Sequence, residues 1–304
     1  MSSEQKYHVP VMLKECLDGL NINPEGTYVD ITFGGGGHSR AILEQLTTGH
    51  LYSFDQDPDA KAESKKIDSP NFTFIEANFR HIKKYLRVYG VKEVDGILAD
   101  LGISSHQIDT AERGFSTRFE GELDMRMNQK AEISAKEIIN TYSVEQLHKI
   151  LGMYGEIKNA RTAAQTIVTA RANSPINTIN ELKASIQDIA PRGREFKYYA
   201  QIFQALRIEV NEEIKVLEDF LLQTPEILKT GGRLVVMAYH SLEDRPVKNF
   251  IRSGKFEGDV EKDFFGHEIK PFNSITRKPV EASAEELERN PRSRSAKLRI
   301  AEKR

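Results

Sequence analysis

Four short apolar, β-branched runs recur early in the chain with helical patterns between them, and this alternation constrains the fold more than any other feature. Thr27 to Phe33 (TYVDITF), Gly49 to Asp55 (GHLYSFD), Asn71 to Glu76 (NFTFIE) and Val94 to Asp100 (VDGILAD) each have strand length and composition. The gaps between them are roughly 15 to 20 residues and carry helical patterns, as in His38 to Leu46 and Asp57 to Lys66. Strands alternating with helices at that spacing predict a parallel sheet covered by helices on both faces. A fifth strand is expected at Arg233 to Tyr239 (RLVVMAY), launched by Gly231-Gly232.

Between the fourth and fifth runs the spacing breaks. A right-handed crossover needs only a dozen or so residues, but about 130 separate Asp100 from Arg233. The excess reads as helix. Ile157, Ala160, Ala164, Ile167 and Val168 share one face of a segment starting near Glu156, and Leu206, Val210, Ile214, Leu217 and Leu221 keep helical steps across another. Asn173-Ser174-Pro175 and Pro191-Arg192-Gly193 divide the stretch into separate helices. The expected division is residues 1–105 as the first part of an α/β domain, 106–209 as an inserted helical domain, and 210–304 as the second part with a basic end.

Charged residues make up 29% of the 304 and hydrophobic ones 39%, which excludes a disordered chain. The single cysteine, Cys16, excludes an internal disulfide and a thiolate metal cluster, and no histidine pairs with another at metal-ligand spacing, so no metal is expected. Met1-Ser2-Ser3-Glu4-Gln5-Lys6 has no apolar core and no apolar run reaches the roughly 20 residues of a spanning helix, so a cytoplasmic protein without a membrane partner is expected. The net charge is −2, yet the last sixteen residues carry +6 and the rest −8. A basic end on an acidic body is either a phosphate-binding patch or a solvated terminus.

The strongest local signal is Asp30-Ile31-Thr32-Phe33-Gly34-Gly35-Gly36-Gly37-His38-Ser39, a strand running through four glycines into a helix. Glycines let backbone approach a ligand closely, and the carboxyl edge of an open α/β sheet is where such ligands bind; a plain flexible turn is the alternative. Asp55 ends the second strand eighteen residues after Gly37, near where an acid accepts hydrogen bonds from ribose hydroxyls in nucleotide-binding folds. The third glycine of Gly-x-Gly-x-x-Gly would fall on Ser39. An adenosyl compound without a pyrophosphate therefore fits better than NAD. Phe79, just past the third strand, could lie against an adenine ring or belong to the core. Asp100 closes the fourth strand; a carboxylate there is either hydrogen-bonded structurally or placed for chemistry.

Two further stretches bear on function. In Tyr239-His240-Ser241-Leu242-Glu243-Asp244, Ser241 reads as a helix cap, because no Gly-x-Ser-x-Gly elbow surrounds it. Arg192-Gly193-Arg194-Glu195-Phe196-Lys197-Tyr198-Tyr199 interleaves three cations with three aromatics, a pattern suited to phosphate contact with base stacking. Equally, it is a surface loop whose rings pack on the following helix.

Seven motifs taken together resemble the ribosomal RNA small subunit methyltransferase H family. They are Thr32 to Ser39, Asp100 to Ser105, Arg113-Gly114-Phe115-Ser116, Leu123-Asp124-Met125-Arg126-Met127, Phe203 to Asn211, Tyr239 to Arg245 and Asn290 to Ser295, collinear from about Val9 to Glu302. The resemblance implies a Rossmann-like α/β methyltransferase fold with an inserted all-helical subdomain. It also implies S-adenosyl-L-methionine as cofactor and methylation of the exocyclic N4 of a cytidine in the decoding region of 16S ribosomal RNA. Carried over by motif, the cofactor contacts are Gly36, Gly37, His38, Asp55, Phe79, Asp100 and Gln107. The expected catalytic residues are Asp100, with Ser104 and Ser105, because acceptors for the N4 protons would localise the amine lone pair. Arg192, Arg194, Lys197, Arg292 and Arg294 are the expected RNA contacts, the partner is the small ribosomal subunit, and a homodimer is left open. One departure stands out: the family often has an Arg where this chain has Gln201. Methylation of another nucleic-acid amine, and a non-catalytic ribosome-assembly factor binding an adenosyl ligand, are the alternatives.

Overall fold

A computed structural model describes residues 10–304; the opening six residues, and with them the reading that no secretory signal is present, lie outside the described residues. The chain forms two compact units, one made of the described residues up to Gly102 with Lys215–Arg304, the other of Ile103–Ile214.

The first unit is built on one sheet. Its parallel strands are β1 (Thr27–Asp30), β2 (His50–Asp55), β3 (Phe72–Glu76), β4 (Val94–Asp100) and β5 (Leu228–Ala238). After a hairpin of two short strands, β6 (Glu261–Lys262) and β7 (Glu268–Ile269), come β8 (Phe272–Ser274), β9 (Val280–Glu281) and β10 (Lys297–Lys303). The main order is β3-β2-β1-β4-β5-β10-β8, with β9 also on β10, and β10 runs antiparallel to β5. Strand order therefore reverses between β1 and β4, the switch point where open α/β sheets leave a crevice at their carboxyl ends.

The strands are near-continuous apolar runs because helices cover both faces. Along β4 and β5, Ile97, Ala99, Leu234, Val236 and Ala238 enter one buried cluster, while Leu98, Val235 and Met237 enter the other. That period of two sorts each strand between two cores. Phe54 and Phe220, both fully buried in the first cluster, contribute roughly 1.5–3 kcal/mol each.

Three expectations need correction here. β1 ends at Asp30 rather than Phe33, leaving Ile31 to Phe33 as the approach to the glycine loop. β5 begins at Leu228, and Gly231-Gly232 lies inside it where the pairing with β4 shifts register. The basic end is not simply a solvated tail: Lys297–Lys303 is an interior strand whose Leu298, Ile300 and Ala301 are buried.

The second unit is helical. Its helices span Ser105–Asp109, Ala135–Thr141, Val144–Met153, Ala160–Asn173, Ile179–Ile186 and Glu195–Val210. Four start with a Ser or Thr whose partner three residues on is Glu or Gln: Ser104/Gln107, Ser134/Glu137, Ser143/Gln146 and Thr178/Glu181. Each such box satisfies backbone donors that a helix start leaves orphaned. One apolar cluster, including Leu147, Leu151, Ala164, Ile167, Leu182, Ile202 and Leu206, holds these helices together. The helical run expected to continue from Leu206 to Leu221 is two helices, Glu195–Val210 and Glu213–Ile227, interrupted where Glu212 takes a φ of 48°.

Candidate active site

The loop after β1 is closed on itself by Asp30. This buried carboxylate accepts from the Thr32 N–H at 3.1 Å and from the Ser39 hydroxyl at 2.6 Å, so one side chain ties both ends of the glycine run together. The Ser39 hydroxyl also lies 2.8 Å from that of Ser53 on β2. Inside the loop the Gly36 N–H donates to Phe33 O at 2.7 Å, and Arg40 donates to Gly35 O at 2.8 Å. Gly36 has a φ of 76°, and a Cβ there would stand 2.6 Å from the Phe33 ring; one on Gly37 would stand 2.4 Å from Cγ of Pro10. No larger residue fits either place.

Asp55 reaches this loop from the end of β2. Its Oδ2 accepts from the Gly34 N–H at 2.9 Å and its Oδ1 from the Asp57 N–H at 2.9 Å. An ionised carboxylate offers about four lone-pair sites, so each oxygen retains acceptor capacity toward the crevice. Burial pushes Asp55 up to about 6, against the pull of the two N–H donors. Beyond β3, Ala77 N–H donates to Asp55 O and Asn78 to the Gln56 side chain, which brings the following Phe79 alongside. The Phe79 ring is half-buried and meets Phe220 edge-on, with centroids 5.6 Å apart.

Asp100 completes the rim from β4. Its N–H donates to the Thr32 hydroxyl at 2.7 Å, fixing it to the β1 loop across the switch point. The Tyr239 hydroxyl donates to Asp100 Oδ1 at 2.7 Å. Oδ2 lies 3.7 Å from His38 Nδ1, while His38 Nε2 sits 3.1 Å from Val11 O. Since a carbonyl only accepts, Nε2 carries the proton. Burial pushes Asp100 up to about 6; His38 and Tyr239 pull it down, Asp30 and Glu243 push it further up. Burial and the Asp100 charge hold the Tyr239 phenol well above its usual range, so it stays a donor. Tyr239 is itself anchored by its N–H, which donates at 2.9 Å to buried Glu243.

The structure thus gathers Gly36, Gly37, His38, Asp55, Phe79 and Asp100 on one rim of the first unit. Ser104, Ser105 and Gln107 belong to the second unit. There the Ser104 oxygen accepts from the Gln107 N–H at 3.2 Å and the Gln107 side chain accepts from the Ser104 N–H at 3.0 Å, a helix start in which both have structural duties. In the Arg192–Tyr199 stretch, Arg192, Arg194 and Lys197 are exposed and Phe196 is 86% exposed, but Tyr198 is only 4% exposed and packs in the helical core. Gln201 donates to Gly155 O at 2.9 Å. Arg292 is half-buried and Arg294 exposed.

Sequence reasoning missed Asp30, Thr32 and Tyr239. The signal for Tyr239 was its place at the end of β5: Asp100 is in register with Met237, so Tyr239 flanks the carboxylate. Attention to His240 and Ser241 obscured it. Ser241 is not the cap: it is the first residue of the helix Ser241–Ser253, His240 holds the N-cap position without a side-chain capping bond, and Glu243 accepts from the Tyr239 N–H.

The cradle fits an adenosyl group: glycine backbone that admits close approach, a carboxylate with spare acceptors along the rim, and an aromatic ring beyond it. Among described residues no helix is long and apolar enough to cross a membrane. The chain is 62% identical over 297 residues to the ribosomal RNA small subunit methyltransferase H of Cytophaga hutchinsonii, covering 98% of this chain and 99% of the relative. It is 54% identical over 301 residues to the protein of that name from Bacteroides thetaiotaomicron, covering 99% and 98%. A solved rRNA methylase from Streptococcus thermophilus overlays 98% of the chain and 99% of its own at 14% identity, with a TM-score of 0.39, too low to carry weight. With matching sequence over residues 5–304, the chain belongs to the MraW methylase family.

Proposed function

We propose that this chain transfers a methyl group from S-adenosylmethionine to the exocyclic N4 of a cytidine in the decoding region of small-subunit ribosomal RNA, in the cytoplasm. The observation that carries this reading is the placement of Asp100 beside the glycine loop at the sheet's switch point: its backbone N–H donates to Thr32, its carboxylate accepts from the Tyr239 hydroxyl, and the His38 ring stands 3.7 Å from Oδ2. Membership of a methylase family sets aside the non-catalytic assembly factor.

Bound in the cradle, the cofactor supplies a sulfonium methyl for in-line displacement by the amine. Gly36 and Gly37 admit it by backbone contact, Asp55 accepts from its ribose hydroxyls, and Phe79 lies against its adenine. Gln107 and His38 are further contacts carried by motif. Cytosine N4 is a weak nucleophile because its lone pair is delocalised into the ring. Asp100 Oδ2, left open when Tyr239 takes Oδ1, accepts an N4–H and so returns that pair to nitrogen. As the new N–C bond forms, the proton passes to Asp100. Ser104 and Ser105, just past Asp100 in sequence, are secondary; the Ser104 oxygen already accepts from Gln107, which leaves it a donor. Orientation of this kind contributes up to about 7–11 kcal/mol. The target base must leave its stack, at a few kcal/mol unless the RNA already presents it unpaired. Arg192, Arg194 and Lys197 of the helical unit, with Arg292 and Arg294, take RNA phosphates.

Incubation with labelled methyl donor and, separately, assembled small subunits, naked rRNA and duplex DNA tests this. Label mapping to one cytidine N4 in subunits or rRNA supports the reading; label in DNA alone, or in none, overturns it.

A further inference from the structure

Resting on the reading above that RNA is the substrate, we propose that Phe196 is a stacking platform for an unpaired RNA base, so that this surface of the helical unit engages single-stranded rather than duplex RNA. Phe196 lies in the first turn of the helix Glu195–Val210, whose buried residues are Tyr198, Ile202, Phe203, Ala205, Leu206 and Ile208. At 3.6 residues per turn it points about 200° away from Tyr198. It stands 86% exposed.

Its surroundings select the partner. Arg192, Arg194 and Lys197 are all exposed. Elsewhere in the same unit arginines are held in ion pairs, Arg126 with Asp124 at 2.7 Å and Arg207 with Glu213 at 2.8 Å. The acid within the patch, Glu195, is engaged locally, accepting from the Gly193 N–H at 2.9 Å. An apolar ring set among three outward cations is complementary to a polyanion with exposed aromatic bases. A protein partner with an apolar pocket would instead have to desolvate those cations. Duplex RNA hides its base faces and offers phosphates and 2′-hydroxyls alone, which leaves the ring without a use. The Gly193 turn, with a φ of 73° and an Arg194 N–H to Pro191 O bond of 3.0 Å, sets the cations around the ring.

The test uses the full chain with a fluorescent single-stranded RNA dodecamer and its duplex, titrated at several salt concentrations. Base stacking on an aromatic is sequence-tolerant, and its loss weakens binding about 5- to 150-fold. Phe196→Ala and Phe196→Leu should both show that loss for the single strand, Phe196→Trp should keep wild-type affinity, and none should change the salt slope. Arg192→Gln should lower the slope by about 0.7. Duplex binding should be indifferent to Phe196. Unchanged single-strand affinity in Phe196→Ala, or full affinity in Phe196→Leu, overturns the proposal, the latter pointing to an apolar protein pocket. Methylation of small subunits by the wild-type chain is scored alongside. Its absence would strike the functional reading, whereas normal wild-type methylation with an indifferent Phe196 would strike this inference alone.

Discussion

The Tyr239 hydroxyl donates to Asp100 Oδ1 across 2.7 Å, joining the ends of two neighbouring parallel strands. That bond does not engage Oδ2, which lies 3.7 Å from His38 Nδ1, and it favours the ionised form of Asp100, which burial opposes. Removing it should therefore act on charge as well as position. In Tyr239→Phe the carboxyl loses a donor worth about 1.5–3 kcal/mol, so its pKa rises from about 6. On the proposed role of Asp100 transfer needs the carboxylate, so activity should fall as pH drops through that value, and the acid limb of the rate profile should move to higher pH in the variant. A pH profile of kcat checks this; a limb that stays in place would mean the phenol only packs.

Asp100→Asn separates chemistry from stability. If Asp100 is the proton acceptor as proposed, its loss should lower turnover about 10²- to 10⁴-fold, with cofactor affinity by calorimetry far less affected. The same change should raise the melting temperature of the ligand-free protein. Because the folded carboxyl titrates near 6 and an unfolded one near 3.9, its stabilising contribution is complete below the lower value and lost as pH rises through the upper. Asn carries no such penalty and still accepts from Tyr239. The gain should be present above about pH 6 and vanish toward pH 4.

The parts of the fold written in local pattern were legible. Strand positions β1 to β4 follow from runs of β-branched and apolar residues, and the glycine loop, Asp55 and Asp100 from their places at strand ends. Partners fixed by tertiary register were not legible. Nothing local marks Tyr239 as the neighbour of Asp100, since that contact spans strands adjacent only in the folded sheet; Asp30 clasps its own loop through Thr32 and Ser39, a contact local in sequence that depends on how the glycine run turns back. The basic end misled for another reason: Lys297 to Lys303 alternates buried Leu298 and Ile300 with Arg299, a strand pattern overshadowed by its charge. In the Arg192–Tyr199 stretch the spacing left base stacking and helix packing equal. Burial divides them, since Tyr198 packs and Phe196 does not.

Gly37→Ala should be more damaging than its size suggests. Its methyl would meet Pro10 Cγ at 2.4 Å, and neither proline ring nor loop backbone can yield cheaply. Gly36→Ala adds left-handed strain of about 1–2 kcal/mol to a clash with the Phe33 ring. Denaturant melts should show both losing stability, and calorimetry should show both losing cofactor affinity. Gly193→Ala makes a control, since its φ is also positive, at 73°, but nothing lies within 4 Å of its added carbon; it should pay the backbone strain alone and keep cofactor binding.

Two arginines five residues apart in the basic end should behave oppositely. Arg299 projects from β10 onto Asp244, with Nε to Oδ1 at 2.6 Å and the second guanidinium nitrogen to Oδ2 at 3.0 Å, both side chains being under 15% exposed. Breaking such a bidentate pair leaves a desolvated carboxylate, so Arg299→Ala should cost about 3 kcal/mol of stability, seen as a lower denaturation midpoint. Arg294 is exposed, so Arg294→Ala should leave the midpoint within about 0.5 kcal/mol and reduce the salt dependence of RNA binding by about one phosphate contact. If Arg294→Ala unfolds the protein while Arg299→Ala weakens only RNA binding, the division of this run into a structural strand and an RNA-facing approach is reversed.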